Sequence, residues 1–464
     1  MNWELLGITV YVLGMLYVGY VVSKRIKTED DYFLAGRSLG PGLATFSIFA
    51  TWFGAESCIG TAGKVYRDGI SGTHADPFGY GLCILLMTLI FSKILWNKKI
   101  TTLPDLFRQR YSPGAERMAA FIMIPSSLIW AGAQIRAFGQ IIHVTSNFPV
   151  TLAITIAAGV VILYTMFGGL LADAYNDLIQ GIAIIVGLTI LLVVLVLDLG
   201  GIGAAINAIK PESLDFFKLE QGTWWQRWEM WLVPILGSLM SQELVSRVSA
   251  SSSAEVAYRS GLKATAMYLA VGCIPVTVGL LAHVYHPGLS ETDSVMPLLA
   301  KTHLHAFPYI LFVGALVAAI LSTVDSTLLT VSALITHNIV NPVFTKGGDR
   351  MKVLLARGGV VCSGLIAYSI AFSADSVTEM VETASGLGGP VILVLVSFAL
   401  FTKVGNQVSA IIAMMTSIGT WFIAHFVWDV SAPVIMTVVM CFLSYVATLP
   451  FVGEADKAAS PHSN

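Results

Sequence analysis

The chain has 464 residues, 56% of them hydrophobic and only 12% charged, with a mean hydropathy of +0.77. A soluble domain carries about twice that charged fraction, so the excess apolar surface requires lipid and the sequence reads as an all-α polytopic membrane protein. A formal net charge of −2 speaks against a nucleic-acid partner, and the five scattered cysteines form no CxxC or Cys/His pair, which leaves neither a disulfide framework nor a transition-metal site.

The N-terminus opens on MNWELLGITV, with no basic n-region and no small-residue cleavage site, which predicts a first spanning helix rather than a removed signal. Apolar runs of spanning length fall at 3–23, 43–66, 77–96, 118–144, 149–167, 171–199, 229–249, 261–285, 307–335, 353–373, 383–402, 406–428 and 432–452, predicting about thirteen transmembrane helices. With the N-terminus outside, nineteen Lys and Arg, Arg247 among them, fall on cytoplasmic segments and six on outer ones, with Arg136 left in mid-span. The bias of basic loops to the inside then sets the N-terminus outside and the C-terminus in the cytoplasm. The loop 97–117 predicts a cytoplasmic amphipathic turn of helix. The outer loop 200–227 ends in GTWWQRWEMW, which reads as an aromatic interface belt. The tail GEADKAASPHSN is short, and no GxxxxGK[ST] or attached soluble domain occurs, so any energy source is expected to be a gradient.

Two of these spans are interrupted. Residues 50–66, ATWFGAESCIGTAGKVY, carry Gly54, Gly60, Gly63 and the carboxylate of Glu56 inside an apolar run. Interior glycines weaken helix, and an acid at mid-membrane costs several kcal/mol. The pattern points to a discontinuous helix whose freed backbone groups line a site. Residues 231–250, WLVPILGSLMSQELVSRVSA, repeat the pattern with Pro234, Gly237 and Glu243. Two broken spans, each heading five helices, predict an inverted repeat with its site at the repeat interface. The organisation expected is 1–39 as first helix and cytoplasmic link, 40–200 as first repeat, 201–228 as outer loop, 229–402 as second repeat, 403–453 as two C-terminal helices and 454–464 as cytoplasmic tail.

The ninth span carries Ser322, Thr323, Asp325, Ser326 and Thr327, a cluster of oxygen ligands suited to a hard monovalent cation. Isolated hydroxyls would bond back to the preceding turn, but five polar residues in six positions, one an acid, favour a cation site. Asp177 sits about one turn inside the sixth span, either as a helix-start acid or as a second cation ligand facing Asp325 and Ser326. Asp173 is expected at headgroup level as a cap. Arg136 must face the bundle interior and find an anion, either Glu56, Glu243 or a substrate carboxylate held by its planar fork. Trp52, Phe53, Tyr80 and Trp130 could wall an aromatic pocket for an organic cation. His337 and His425 lie near helix ends and read as interfacial.

Five ordered stretches resemble the sodium/solute symporter family: TEDDYFLAGRSLG (28–40), TTLPDLFRQRY (101–111), LYTMFGGLLADAYNDLIQ (163–180), LVSRVSASSSAEVAYRSG (244–261) and AAILSTVDST (318–327). The resemblance implies a five-plus-five inverted-repeat, LeuT-like fold in which one bundle alternates against a scaffold. It implies a main sodium site on the carbonyls of Ala50, Phe53 and Ala319 with Ser322 and Thr323. A second sodium site would use Asp177, Ser322, Asp325 and Ser326; both acids are present, so one or two sodium ions and no organic cofactor are expected. The wording ATWFG…IGTAGKVY and SRVSASSS is similar to the choline-transporting branch, with Trp52, Tyr80 and Trp130 at positions of its ammonium cage. Ser241 stands where that cage has a tryptophan, and Glu56, Glu243 and Arg136 are further departures. These favour an amino acid, a carboxylate or another zwitterion over a bare quaternary ammonium, with Trp52, Glu56, Ser57, Tyr80, Trp130, Arg136, Ser241 and Glu243 facing the solute.

The sequence thus predicts a sodium-coupled symporter importing a small polar solute through a bacterial inner membrane, as a monomer or weak oligomer. A choline transporter and a non-transporting solute sensor are the alternatives. No HExxH, GxSxG or His-rich cluster suggests an enzyme.

Overall fold

The computed structural model describes residues 3–146, 148–217, 223–289, 292–343, 348–373 and 377–458. Part of the expected outer loop (218–222) and of the tail (459–464) lies outside them. Among the described residues the regular elements are all helices, apart from one isolated parallel bridge between Leu39 and Ser251.

The first half of the chain runs through α1 (Trp3–Ser23), α2 (Glu29–Leu34), α3 (Pro41–Trp52), α4 (Thr61–Asp68), α5 (Tyr80–Leu86), α6 (Ser92–Lys98), α7 (Pro104–Arg110), α8 (Pro113–Ser146) and α9 (Val150–Asp198). After α10 (Ile202–Ala208) come α11 (Trp224–Ser238), α12 (Gln242–Ala250), α13 (Ala254–Tyr285), α14 (Val295–His303) and α15 (Ala306–Ile335). The last are α16 (Asp349–Ile370), α17 (Val377–Gly386), α18 (Gly389–Phe401), α19 (Gln407–Phe422) and α20 (Pro433–Ala458). Among the described residues, ten continuous helical stretches are long and apolar enough to cross a membrane, so the expected thirteen is not reached by that measure. The difference has local causes. α9 covers two of the expected spans: unbroken, its 49 residues would reach about 73 Å, far more than a bilayer core of about 30 Å. The chain turns instead at Gly169, whose φ of +56° is the left-handed region that glycine enters at no steric cost. The other two spans are the interrupted ones: α3, α11 and α12 are each too short to count, and the second half of the first runs on into the stretch Glu56–Lys98.

Both interruptions form where the sequence placed them. α3 begins with Pro41 at its first position, where a missing N–H costs nothing, and stops at Phe53–Gly54. The chain resumes through Glu56–Gly60 into α4. α11 stops at Ser238, and Ser241 opens α12 by accepting the Leu244 N–H at 3.5 Å. The two breaks meet α15, which is buried from Ala315 to Leu334 and forms the centre of the bundle against α8 and α9. Where α11 passes the gap between α17 and α18, backbone meets backbone: a Cβ on Gly237 would lie 2.1 Å from the Ser385 carbonyl oxygen.

At the end of the bundle that carries the basic loops, polar side chains tie the elements together. The two ring nitrogens of His337 face Glu29 Oε1 at 2.8 Å and Asp105 Oδ1 at 3.2 Å. Asn338 donates to Asp105 and Glu116, and Gln242 accepts the Leu103 N–H at 2.6 Å. This joins α12 to the loop before α7. Trp224, Trp225 and Trp228 are exposed on α11, as an interfacial belt requires.

Candidate functional site

The break after α3 leaves its last carbonyls without successors in the helix, and α15 supplies hydroxyls to meet them. Ser322 Oγ donates to the carbonyls of Ala50 and Ala319, both at 2.9 Å, and Thr323 Oγ1 donates to Ala319 at 3.1 Å. Phe53, fully buried, is the residue at which the helix ends. Of the five expected ligands of the main ion site, the structure therefore brings Ala50, Ala319, Ser322 and Thr323 into mutual contact, with Phe53 at the adjoining break. Gly54 is confined there: a Cβ would sit 2.8 Å from Glu56 Oε2 and 2.9 Å from Thr323 Oγ1.

One turn further along α15 lies a buried charge cluster. Asp177 Oδ2 accepts Ser47 Oγ at 2.6 Å, Ser326 Oγ donates to Asp173 at 3.2 Å, and Thr51 and Ser326 are 3.4 Å apart. Into this group comes Arg247 of α12, which pairs with Asp173 and Ser326 and stands 4.0 Å from Asp177. Arg247, Asp173, Asp177 and Asp325 are at most 3% exposed. Two carboxylates, Asp173 and Asp177, face one guanidinium, Asp325 is a third buried acid on α15, and the Oδ1 atoms of all three have no hydrogen-bond partner. Unmatched charge away from water costs several kcal/mol per ion, so the cluster has the charge and the free oxygens to hold a further cation.

Three expectations are corrected here. Asp173 is not a headgroup-level cap; it is an interior acid. Arg247, counted with the cytoplasmic basic residues, is fully buried, with its guanidinium between Asp173 of α9 and Ser326 of α15. Arg136 meets neither Glu56 nor Glu243: it is half-buried on the far side of α8 and donates to the Ala371 carbonyl at 3.0 Å. The partner of Glu56 is Gln134, whose Nε2 donates to it at 2.8 Å while its Oε1 accepts the Ala55 N–H at 3.2 Å.

Beyond the ion ligands, Trp52, Trp130 and Tyr80 form an aromatic layer, with ring centroids 6.2 Å apart for Trp52–Trp130 and 6.1 Å for Tyr80–Trp130. The indole N–H groups of both tryptophans are buried without a partner. On one side of the layer is a serine-rich cavity of about 40 Å³, bounded by Trp52, Trp130, Ser241, Glu243, Thr323 and Ser385. Ser127 Oγ donates to Glu243 at 2.8 Å. On the other side is an acidic cavity of about 20 Å³ that includes Glu56, Asp76 and Tyr80. Spaces of this size hold a few water molecules. Of the expected solute residues, Trp52, Trp130, Ser241 and Glu243 line the first cavity and Glu56 and Tyr80 the second. Ser57 lines neither, since its hydroxyl is held by Asp76 at 2.5 Å and Tyr268 at 3.0 Å. Asp76 and Gln134 were not anticipated; the signal available for Asp76 was an acid at the very start of an apolar span.

The sodium:solute symporter family model matches residues 32–417. The chain is 24% identical over 401 residues to the Drosophila melanogaster high-affinity choline transporter 1, covering 82% of this chain and 64% of that protein. It is 26% identical over 434 residues to the Escherichia coli (strain K12) sodium/proline symporter, covering 88% and 86%. A substrate-bound, outward-open Na+-coupled sialic acid symporter superimposes with a TM-score of 0.85 at 19% identity, covering 97% of this chain and 98% of that one. The fold is thus LeuT-like, and the chain belongs to the sodium:solute symporter family, a family of multi-pass membrane transporters.

Proposed function

We propose that this member of the sodium:solute symporter family uses sodium entry to drive inward transport of a small solute bearing a cationic amine. The observation that carries the solute class is the serine-rich cavity, which has two tryptophan faces and Glu243 but, among the described residues, no lysine or arginine in its walls. Ring faces and a carboxylate attract an ammonium, worth about 2 kcal/mol or more per desolvated ring. The departure of Arg136 from the site removes the main support for a simple carboxylate. A second reading, an amino acid, is favoured by α12, whose N-terminal turn reaches the same cavity at Ser241 and Gln242 and could receive a carboxylate.

The ion reading rests on two groups. Ala50, Phe53, Ala319, Ser322 and Thr323 would hold the main sodium. Asp177, Asp325, Ser322 and Ser326, with Asp173 added, would hold a second. Residues 40–200 and 229–402 would form the two repeats that rock against each other, in a monomer or weak oligomer of the bacterial inner membrane with the N-terminus outside. The chemistry is transport, with no bond made or broken.

Flux into proteoliposomes tests this. Choline, primary amines, amino acids, carboxylates and sugars are offered with inward sodium or potassium gradients. Sodium-dependent accumulation of amine-bearing solutes alone is expected, and acceptance of amino acids but not bare amines would select the second reading. Undiminished uptake without sodium, or uptake of carboxylates that carry no amine, refutes the proposal. Binding without flux would instead indicate a sensor.

A further inference from the structure

The break in the first interrupted helix leaves two needs that the ion ligands do not meet. Where the chain resumes at Glu56, the first N–H groups have no preceding helical carbonyls, and Ala55 has no side-chain oxygen to cap them. The expected ligands of the main ion site are carbonyls and hydroxyls, all neutral, so a buried cation must draw its countercharge from a neighbour. Asp173 and Asp177, a turn further along α15, already face Arg247.

Gln134 and Glu56 meet both needs. Gln134 is fully buried on α8, and its amide spans the break: Oε1 accepts the Ala55 N–H at 3.2 Å while Nε2 donates to Glu56 Oε2 at 2.8 Å. A backbone donor at one end and a carboxylate at the other fix which end of the amide is which. Held in this way, the Glu56 carboxylate lies against Gly54, where a Cβ would be 2.8 and 3.0 Å from its two oxygens and 2.9 Å from Thr323 Oγ1. Carboxylate and ion-site hydroxyl thus share one side of Gly54. Glu56 also stands in the first turn of the resumed helix, where the dipole favours an anion.

We propose that Gln134 and Glu56 form a brace across the break and that this brace sets the sodium affinity of the main site. Glu56 supplies the countercharge, and Gln134 is the positioning residue that aims it. The proposal rests on the sodium reading above and adds two residues outside its ligand set. A neutral amide orients the carboxylate without cancelling its charge, which a lysine or arginine in the same place would do.

The test is a sodium titration of the melting midpoint in detergent, with potassium keeping the ionic strength constant, which gives the sodium concentration for half-maximal stabilisation. Glu56→Gln keeps the volume and removes the charge, and Gln134→Leu removes both hydrogen bonds. Each should raise that concentration about tenfold. Glu56→Gln combined with Gln134→Glu exchanges carboxylate and amide across the same contact, restoring both hydrogen bonds and one negative charge. The exchanged pair should return to within about threefold of the parent protein. Melting in potassium alone reads the structural cost separately, since a residue that only packs would lower it and leave the half-saturating sodium unchanged. Half-saturation unaltered in both single variants, or an exchanged pair no better than Glu56→Gln, overturns the proposal. Should Gln134→Leu fail to fold, Glu56→Gln against the exchanged pair decides. A parent protein that sodium does not stabilise at all would refute the ion reading and the brace with it, an outcome distinct from failure of the brace alone.

Discussion

Arg247→Met isolates the charge balance of the buried cluster. The substitution keeps an unbranched chain of similar reach and removes the one guanidinium paired with Asp173, Ser326 and Asp177. Removing one partner of a buried ion pair costs about 3–5 kcal/mol, because the remaining charge stays unmatched. Here three carboxylates remain, so the loss belongs at the upper end of that range. Sodium offers a replacement cation. A ligand that binds only the native state contributes about 2.7 kcal/mol at one hundred times its Kd, so saturating sodium should recover half of the loss or more. The assay is thermal unfolding in detergent, in potassium and in sodium. Arg247→Met should melt well below the parent protein in potassium and regain much of the difference in sodium, while the parent gains less. Arg247→Met combined with Asp173→Leu removes both members of the pair and should be the more stable in potassium. If potassium restores Arg247→Met as well as sodium does, or if the single substitution costs under about 1 kcal/mol, the cluster is not a cation site and the charge accounting is wrong.

Ser322→Ala removes a hydroxyl that touches both Ala50 and Ala319; the sodium concentration for half-maximal uptake should rise about tenfold, while stability in potassium falls only by the roughly 1 kcal/mol of a hydrogen bond. Trp130→Ala removes a ring face, and a loss of about 2 kcal/mol raises the KM for an amine solute about thirtyfold, with sodium affinity of the solute-free protein unchanged. At the basic end, burial alone would raise Glu29 and Asp105, yet the His337 hydrogen bond and charge outweigh it and hold both carboxyls below their ordinary values; Lys352 adds to this at Glu29, and the Thr101 and Thr102 N–H groups at Asp105. A depressed carboxyl pKa stabilises the fold above the unfolded value of about 4 and ceases to do so as pH falls through the folded one. The melting midpoint should therefore decline in acid below roughly pH 5, and the decline should be shallower in Glu29→Gln; identical acid limbs would remove His337–Glu29 from the account.

What the sequence showed and what it hid follow from different physics. Both broken helices were legible because glycines and an acid inside an apolar run have no role in a lipid-facing helix. The α15 hydroxyls were legible for the same reason. Hydropathy locates a residue along the membrane normal only to within a turn or two, and it does not say which helices close around it. Arg247 stands at the edge of its apolar run and was assigned to the cytoplasm, although its guanidinium lies between Asp173 of α9 and Ser326 of α15. Asp173, a turn before Asp177, shared that fate. Arg136 failed for a rotational reason. It lies two residues from Gln134, about 200° around the same helix, so only one of them can face Glu56, and the amide does. The inward position of Gln134 leaves the arginine on the far side of α8.

In the proposed reading, ion and solute would be held by overlapping side chains, which is what coupling requires. Thr323 donates to the Ala319 carbonyl of the main ion site and also borders the serine-rich cavity. Thr51 reaches Ser326 of the charge cluster and lines the same cavity. Ala50 and Trp52, two residues apart on α3, belong one to the ion ligands and the other to the aromatic wall. A sodium ion held between α3 and α15 would therefore also bear on the position of Trp52. Because linkage is reciprocal, whatever factor sodium adds to solute affinity, the solute adds to sodium affinity. On this reading that factor needs no transmission across the molecule, because Ala50 and Trp52 lie within a single turn of the helix that ends at Phe53.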